Sequence, residues 1–143
     1  MEWMLRPSAP EDATWIAELR AVVLRDDLSR LGRYDEVRVR QRFLDSFAAE
    51  ATQVIVVDGA DAGSIAVRPE GGVRWIEHFY LDPAMQGRGV GSAVLERVLA
   101  DAGGQTFRLN VLRGSPALRL YLRAGFVLDS EDPVDMFLTR PAR

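Results

Sequence analysis

The residues best suited to chemistry in this chain stand together at Gln86-Gly87-Arg88-Gly89-Val90-Gly91-Ser92. An apolar run that reads as a strand ends just before them, and a helical pattern begins just after. Glycines at 87, 89 and 91 let the backbone bend and let a ligand approach with no Cβ in the way. The first N–H groups of a helix lack intrahelical partners and sit at the positive end of its dipole, which suits an anion. Gln86 and Arg88 add a donor and a charge. Physically this is a cradle for a pyrophosphate, although three alternating glycines are equally compatible with a turn that simply starts a helix.

Residue types narrow the choice of ligand and reaction. The dinucleotide fingerprint G-x-G-x-x-G fails, because counting from Gly87 the sixth position is Ser92, and counting from Gly89 it is Val94. A P-loop needs a lysine, and all 18 basic residues here are Arg. The absence of lysine also removes Schiff-base chemistry, and the absence of cysteine removes thiol nucleophiles, disulfides and Cys-ligated zinc. With His78 the only histidine, no His-rich metal cluster can form, and none is expected.

The elements that must position this site follow from length and pattern. At 143 residues, 48% hydrophobic and 27% charged, the chain has the size and core of one domain, residues 1–143. A first strand ends near Leu5 to Pro7. Ser8 or Asp12 can cap a helix with Trp15, Ile16, Leu19, Val22 and Val23 on its apolar side. Arg25 to Arg33 reads as a loop or a frayed helix end. A second helix spans about Asp35 to Ala49, with Val37, Phe43, Leu44 and Phe47 turned inward. Gln53–Val57, Ala62–Val67 and Val73–Leu81 form an antiparallel meander, with Pro69 to Gly72 as a turn. Helix Ser92–Ala100, strand Thr106–Leu112, helix Ser115–Ala124, strand Phe126–Leu128 and strand Val134–Thr139 complete the chain. The order β-α-α-β-β-β-α-β-α-β-β implies an α/β protein with a mixed sheet and helices on its faces.

Two motifs then stand at a specific spacing. Gln86-x-x-Gly89-x-Gly91, preceded by Leu81-x-Pro83, resembles the acyl-CoA-binding motif of the GCN5-related N-acetyltransferase (GNAT) family. Leu109-x-Val111 with Ser115-Pro-Ala-Leu-Arg-Leu-Tyr-Leu-Arg-Ala-Gly-Phe126 resembles that family's second signature, and the likeness spans nearly the whole chain. It implies a GNAT fold and an enzyme that transfers an acetyl or other acyl group from acetyl-CoA directly to a primary amine of a small molecule or peptide. The alternative it leaves open is a non-catalytic acyl-CoA-binding or sensing module. It further implies cofactor contacts from Phe79, Leu81, Gln86, Gly87, Arg88, Gly89, Val90, Gly91, Ser92 and Ser115, with the pantetheine arm between strands that splay near Leu81 and Val111.

Tyr121 falls on the signature tyrosine, which in many members protonates or hydrogen-bonds the departing thiolate. Glu77 lies where many members place a general base, and strand alternation groups it with Trp75, Phe79 and Leu81, leaving His78 and Tyr80 on the other face. His78 is a reserve base, and a bulge near it could make Glu77 and His78 exchange faces. Ser115 stands where the family most often has Asn, and as a cap before Pro116 it has a purely structural explanation. Alternation turns Asn110 away from Leu109 and Val111. Arg113 reads as exposed, and Trp3, Trp15 and Trp75 as core or rim. Arg30, Arg33, Arg38, Arg40 and Arg42 cluster around the second helix, which the resemblance places along the acceptor cleft, where they could attract an acidic acceptor; the interspersed Asp26, Asp27, Asp35, Glu36 and Asp45 favour a solvated mixed-charge surface instead. A net charge of −3 speaks against nucleic acid, and no apolar run is long enough to span a membrane. The expectation is a cytoplasmic protein, with homodimerisation implied only by the resemblance.

Overall fold

The computed structural model describes residues 1–143. Strands β1 (Trp3–Pro7), β2 (Thr52–Val57), β3 (Ala60–Glu70), β4 (Val73–Leu81), β5 (Thr106–Leu112), β6 (Val127–Glu131) and β7 (Asp135–Arg140) alternate with helices α1 (Ala13–Arg30), α2 (Glu36–Ser46), α3 (Val90–Asp101) and α4 (Leu118–Arg123). The expected element order holds throughout. The seven strands form one sheet in the order β1-β2-β3-β4-β5-β7-β6. Every pairing is antiparallel except β4 with β5, the two strands joined by the α3 crossover. No helix is long and apolar enough to cross a membrane.

Two apolar layers clamp the sheet. The larger gathers Val94, Leu95, Val98 and Leu99 of α3 and Tyr121 of α4 against Ile55, Ile65, Ile76, Phe107 and Leu109. The smaller gathers Ile16 and Ala17 of α1 and Phe43 of α2 around Tyr80 of β4. Helix α1 continues through Arg25 to Arg30, where a loop or frayed end was expected from the polar composition. An Asp27–Arg30 pair (2.6 Å, i,i+3) and the partial burial of Val23 and Leu24 hold this last turn, and Gly32 at φ 71° ends the run. Val22 (60% exposed), Val37 (75%) and Leu44 (42%) face outward, contrary to expectation. Only one narrow stripe of α2 touches the core, through Val39 and Phe43 at i,i+4 spacing. Strand β3 extends through Pro69 and Glu70, so the turn shrinks to Gly71–Gly72.

Gly63 marks where two strands approach most closely. A Cβ there would lie 2.2 Å from the Tyr80 carbonyl oxygen, a backbone atom that cannot swing away. Gly63→Ala is expected to destabilise by about 3 kcal/mol, a fall of roughly 10 °C in Tm by thermal unfolding.

Asp12 is buried at the start of α1, where its carboxylate accepts from Arg6 (2.9 and 3.0 Å), Ala9 N–H (2.8 Å) and Trp15 Nε1 (2.8 Å). The Arg6 guanidinium holds this carboxyl well below the usual carboxylate range. A folded pKa below the unfolded value gives stability that is full above about pH 4 and is lost as pH falls below it. Asp12→Asn should therefore cost about 2 kcal/mol near pH 7 and flatten the acid limb of a denaturant-midpoint-versus-pH curve.

Candidate active site

Strands β4 and β5 pair over only three positions, Val73↔Thr106, Arg74↔Phe107 and Trp75↔Arg108. Beyond these they part, and the gap opens into a cleft of about 1390 Å³ between α1, α2, α3 and α4. A pocket for one small ligand holds about 300–1,000 Å³, so this cleft has room for two reactants. On its outer side β4 pairs with β3 except at His78 and Phe79, and β5 pairs with β7 from Phe107 to Leu112. The edges that face each other across the gap are bare backbone except at the Leu81 carbonyl, which accepts from the Gln86 side chain.

Which groups are bare follows from strand parity. Asp82 N–H bonds to Ala62 O on β3, and the Tyr80 carbonyl faces Gly63. The even-numbered residues thus direct their backbone groups to β3, and Phe79 and Leu81 turn theirs into the cleft. The Phe79 ring packs edge-on against Tyr121 (6.5 Å) and the Leu81 side chain is buried, so both can meet a ligand through the backbone.

A bulge resets the side-chain order on β4. Register passes from Ala66↔Glu77 to Ser64↔Tyr80, so His78 and Phe79 together oppose the single Ile65. His78 sits at φ 49°, and Ser64 Oγ donates to its carbonyl at 2.8 Å. Simple alternation is therefore wrong beyond Glu77. Glu77, His78 and Tyr80 share the face toward α1 and α2, whereas Phe79 and Leu81 share the opposite face with Ile76. The bulge thus brings the two candidate bases together.

On that face runs a chain of hydrogen bonds. Arg20 Nε donates to Tyr80 Oη (2.9 Å), Tyr80 Oη meets His78 Nδ1 (3.1 Å), and His78 Nε2 meets Ser46 Oγ (3.1 Å). Arginine only donates, so the Tyr80 oxygen accepts from it and offers its own proton to Nδ1. The imidazole proton then lies on Nε2, directed to Ser46, whose hydroxyl donates on to Arg42 O at 3.0 Å. Burial holds His78 below its ordinary value and pushes the Tyr80 hydroxyl up, so both are neutral near pH 7. Tyr80, Arg20 and Ser46 were not singled out from sequence. Arg20 and Ser46 lie on two different helices, and no local pattern joins them to β4.

Glu77 lines the cleft and is bound by Arg68 Nε at 2.5 Å. Tyr121 is 7% exposed, lines the same cleft, and packs edge-on against Phe126 (5.8 Å). Burial pushes its hydroxyl well above the ordinary phenol value, with the neighbouring Tyr80 adding to the effect. It remains protonated across the working pH range.

At the end of β4 lies the glycine-rich turn. Gly87 (φ 77°) and Gly89 (φ 82°) adopt the left-handed region that only glycine enters freely. The first intrahelical bond of α3 is Ala93 N–H to Gly89 O (3.1 Å), and no side chain caps the helix. The N–H groups of Val90, Gly91 and Ser92 are left for a ligand. The Val90 side chain is buried in the core, so Val90 serves through its backbone alone. Gly91 has ordinary φ, and a Cβ there would reach Leu120 Cδ2 only at 4.0 Å. Arg88 is exposed. Gln86 does not point at the cradle, because its Nε2 donates to Leu81 O (2.9 Å) and straps the loop to β4.

Ser115 Oγ accepts from Ala117 N–H (3.1 Å), a turn cap that leads into α4, which begins later than expected at Leu118. Asn110 Nδ2 reaches across to Asp135 (3.2 Å), and Arg113 is exposed and pairs with Glu131 (3.2 Å). No group of three or more His, Cys, Asp or Glu is placed to hold a metal ion.

The acetyltransferase (GNAT) domain model matches residues 48–128, more than half of the chain. The protein belongs to the GNAT family of acetyltransferases, a class that performs acetyl-CoA-dependent acyl transfer. Among solved structures it is similar to PaiA N-acetyltransferase from Thermoplasma acidophilum in complex with coenzyme A (TM-score 0.78, 18% identity, 99% of each chain covered). It is also similar to a histone acetyltransferase HPA2-related protein from Corynebacterium glutamicum (TM-score 0.77, 19% identity, 100% and 98% covered). The ribosomal-protein-S18-alanine N-acetyltransferase from Escherichia coli has the same fold (TM-score 0.75, 15% identity, 99% and 94% covered). A search of curated proteins finds no match.

Proposed function

We propose that this protein is an N-acetyltransferase that moves the acetyl group of acetyl-CoA directly to a primary amine. The observation that carries this reading is the continuity of two features. The bare β4 and β5 edges end at the uncapped N-terminus of α3, so an amide-rich arm can add to the sheet while its pyrophosphate meets free N–H groups. Acetyl-CoA has that arm and that pyrophosphate, and it supplies the activated acyl group.

The chain's own residues then have separable tasks. Phe79 and Leu81 hold the arm through backbone groups, and Gly87, Arg88, Gly89, Val90, Gly91 and Ser92 receive the phosphates. Glu77, with His78 beside it on the same face, accepts the ammonium proton that the amine must lose before it attacks. Tyr121 donates to the thiolate as the carbon–sulfur bond breaks. The Arg68–Glu77 ion pair is the feature that favours the non-catalytic alternative, because it occupies the carboxylate that would have to meet the amine.

The test joins binding to turnover. Acetyl-CoA and free CoA, but not NAD or ATP, are expected to raise Tm by several degrees at about 100 times Kd. Free-thiol release that depends on an added amine is expected under the same conditions. Binding without amine-dependent release would select the sensing module. No shift with either CoA form would overturn both.

A further inference from the structure

The charges that line the cleft do not cancel. Of its four acids, Asp27 and Glu77 are held in ion pairs, and Asp132 and Asp135 accept from neutral donors on the β6–β7 side of the cleft. Asp27 pairs with Arg30 (2.6 Å), and Glu77 pairs with Arg68 (2.5 Å). Asp132 accepts from the N–H groups of Val134 (2.8 Å) and Asp135 (2.7 Å), and Asp135 accepts from Asn110 (3.2 Å). On the α1–α2 side the cleft is also lined by Arg33, Arg38 and Arg42, whose guanidinium groups form no ion pair and no hydrogen bond within the protein. Structure thus divides the arginine cluster seen in the sequence. Arg30 and Arg40 are tied to Asp27 and Glu18, while the other three face the cleft unpaired.

Their placement has a direction. Arg38, Arg42 and Ser46 stand at i,i+4 spacing, so they form one stripe along α2. That stripe ends where Ser46 touches His78, beside Glu77. At a rise of 1.5 Å per residue, Arg42 and Arg38 lie about 6 and 12 Å along the helix from that contact. Arg33 stands beyond them in the α1–α2 loop, where its charge adds to the Asp135 and Val134 N–H groups that chiefly hold the Asp132 carboxyl low. The cofactor's phosphates are received elsewhere, at the α3 N-terminus.

We infer that the acceptor is an amine that also carries a carboxylate, its anionic end held by Arg38 and Arg42 and its nitrogen directed to Glu77 and His78. This rests on the acetyltransferase reading above and names its substrate class. A second cation at that end would meet Arg38 and Arg42, neither of which has a carboxylate partner, so polyamines fit poorly.

The experiment compares 5-aminopentanoate, its carboxamide and cadaverine, three amines of matched length, as acceptors with acetyl-CoA. A pair of short peptides with acidic or basic residues after the N-terminus tests whether a peptide supplies the same chemistry. The expected order of kcat/KM is carboxylate, then amide, then diamine, with about tenfold or more between first and last. In the Arg38→Gln, Arg42→Gln double variant that preference should collapse, while stabilisation by free CoA persists as the control for folding. Equal use of the three amines, preference for cadaverine, a preference unchanged in the variant, or turnover of none of them by a protein that binds acetyl-CoA overturns this inference. Failure to bind CoA overturns the acetyltransferase reading instead.

Discussion

Tyr121→Phe is expected to lower kcat by about 10²–10³-fold and to change acetyl-CoA affinity little. The ring is held from two sides by Phe79 and Phe126 in the larger core layer, and Phe retains all of that packing. Only the hydroxyl is lost, so the change falls on the step in which the thiolate needs a proton or a hydrogen bond. A coupled assay of thiol release at saturating amine, with CoA binding measured by thermal shift, separates the two effects. Because burial raises the Tyr121 hydroxyl above its ordinary value, its deprotonation cannot produce a falling limb below pH 10. The variant should therefore be slow at every pH with an unaltered profile. A shifted profile, or undiminished turnover, would remove Tyr121 from the proton-donor role.

Gly89→Val is the second large change. Gly89 lies at φ 82°, where a β-branched residue is a genuine outlier. The substitution either strains the loop or rotates it, and in both cases the N–H groups at the start of α3 leave their common aim. About 100-fold weaker acetyl-CoA binding is expected. At a ligand concentration that stabilises the parent by about 2.7 kcal/mol, the variant would gain only about 0.4 kcal/mol, so its ligand-induced Tm shift nearly disappears. Gly91→Ala is the internal contrast, since φ is ordinary there and the added methyl only touches Leu120. If both variants retain the full shift, the cradle is not where the cofactor's phosphates sit.

The order of elements was legible because each carried its own periodicity and punctuation. Strands Val73–Leu81 and Thr106–Leu112 match their expected limits, since turn signals bound both. The cradle was legible for the same reason, as it is contiguous in sequence. What could not be read was anything set by register between strands. Alternation along β4 placed Phe79 with Glu77, and the bulge at His78 reverses that, because it answers to the single Ile65 on the neighbouring strand. The faces of α1 and α2 were misread where apolar residues exceed what one narrow contact can cover, as at Val22, Val37 and Leu44. The arginine cluster looked uniform in sequence. Its division into paired and unpaired members depends on Glu18 and Asp27, which α1 brings alongside.

The three-position seam between β4 and β5 has a mechanical consequence. It is the sole strand pairing that ties β1–β4 to β5–β7, so the backbone ladder between them is a narrow waist and the larger apolar layer carries the rest of the joint. Without ligand, amides on the open stretches beside the waist would exchange with solvent through local opening. A bound pantetheine arm would complete the interrupted ladder and slow that exchange, acting as the strand missing from the middle of the sheet.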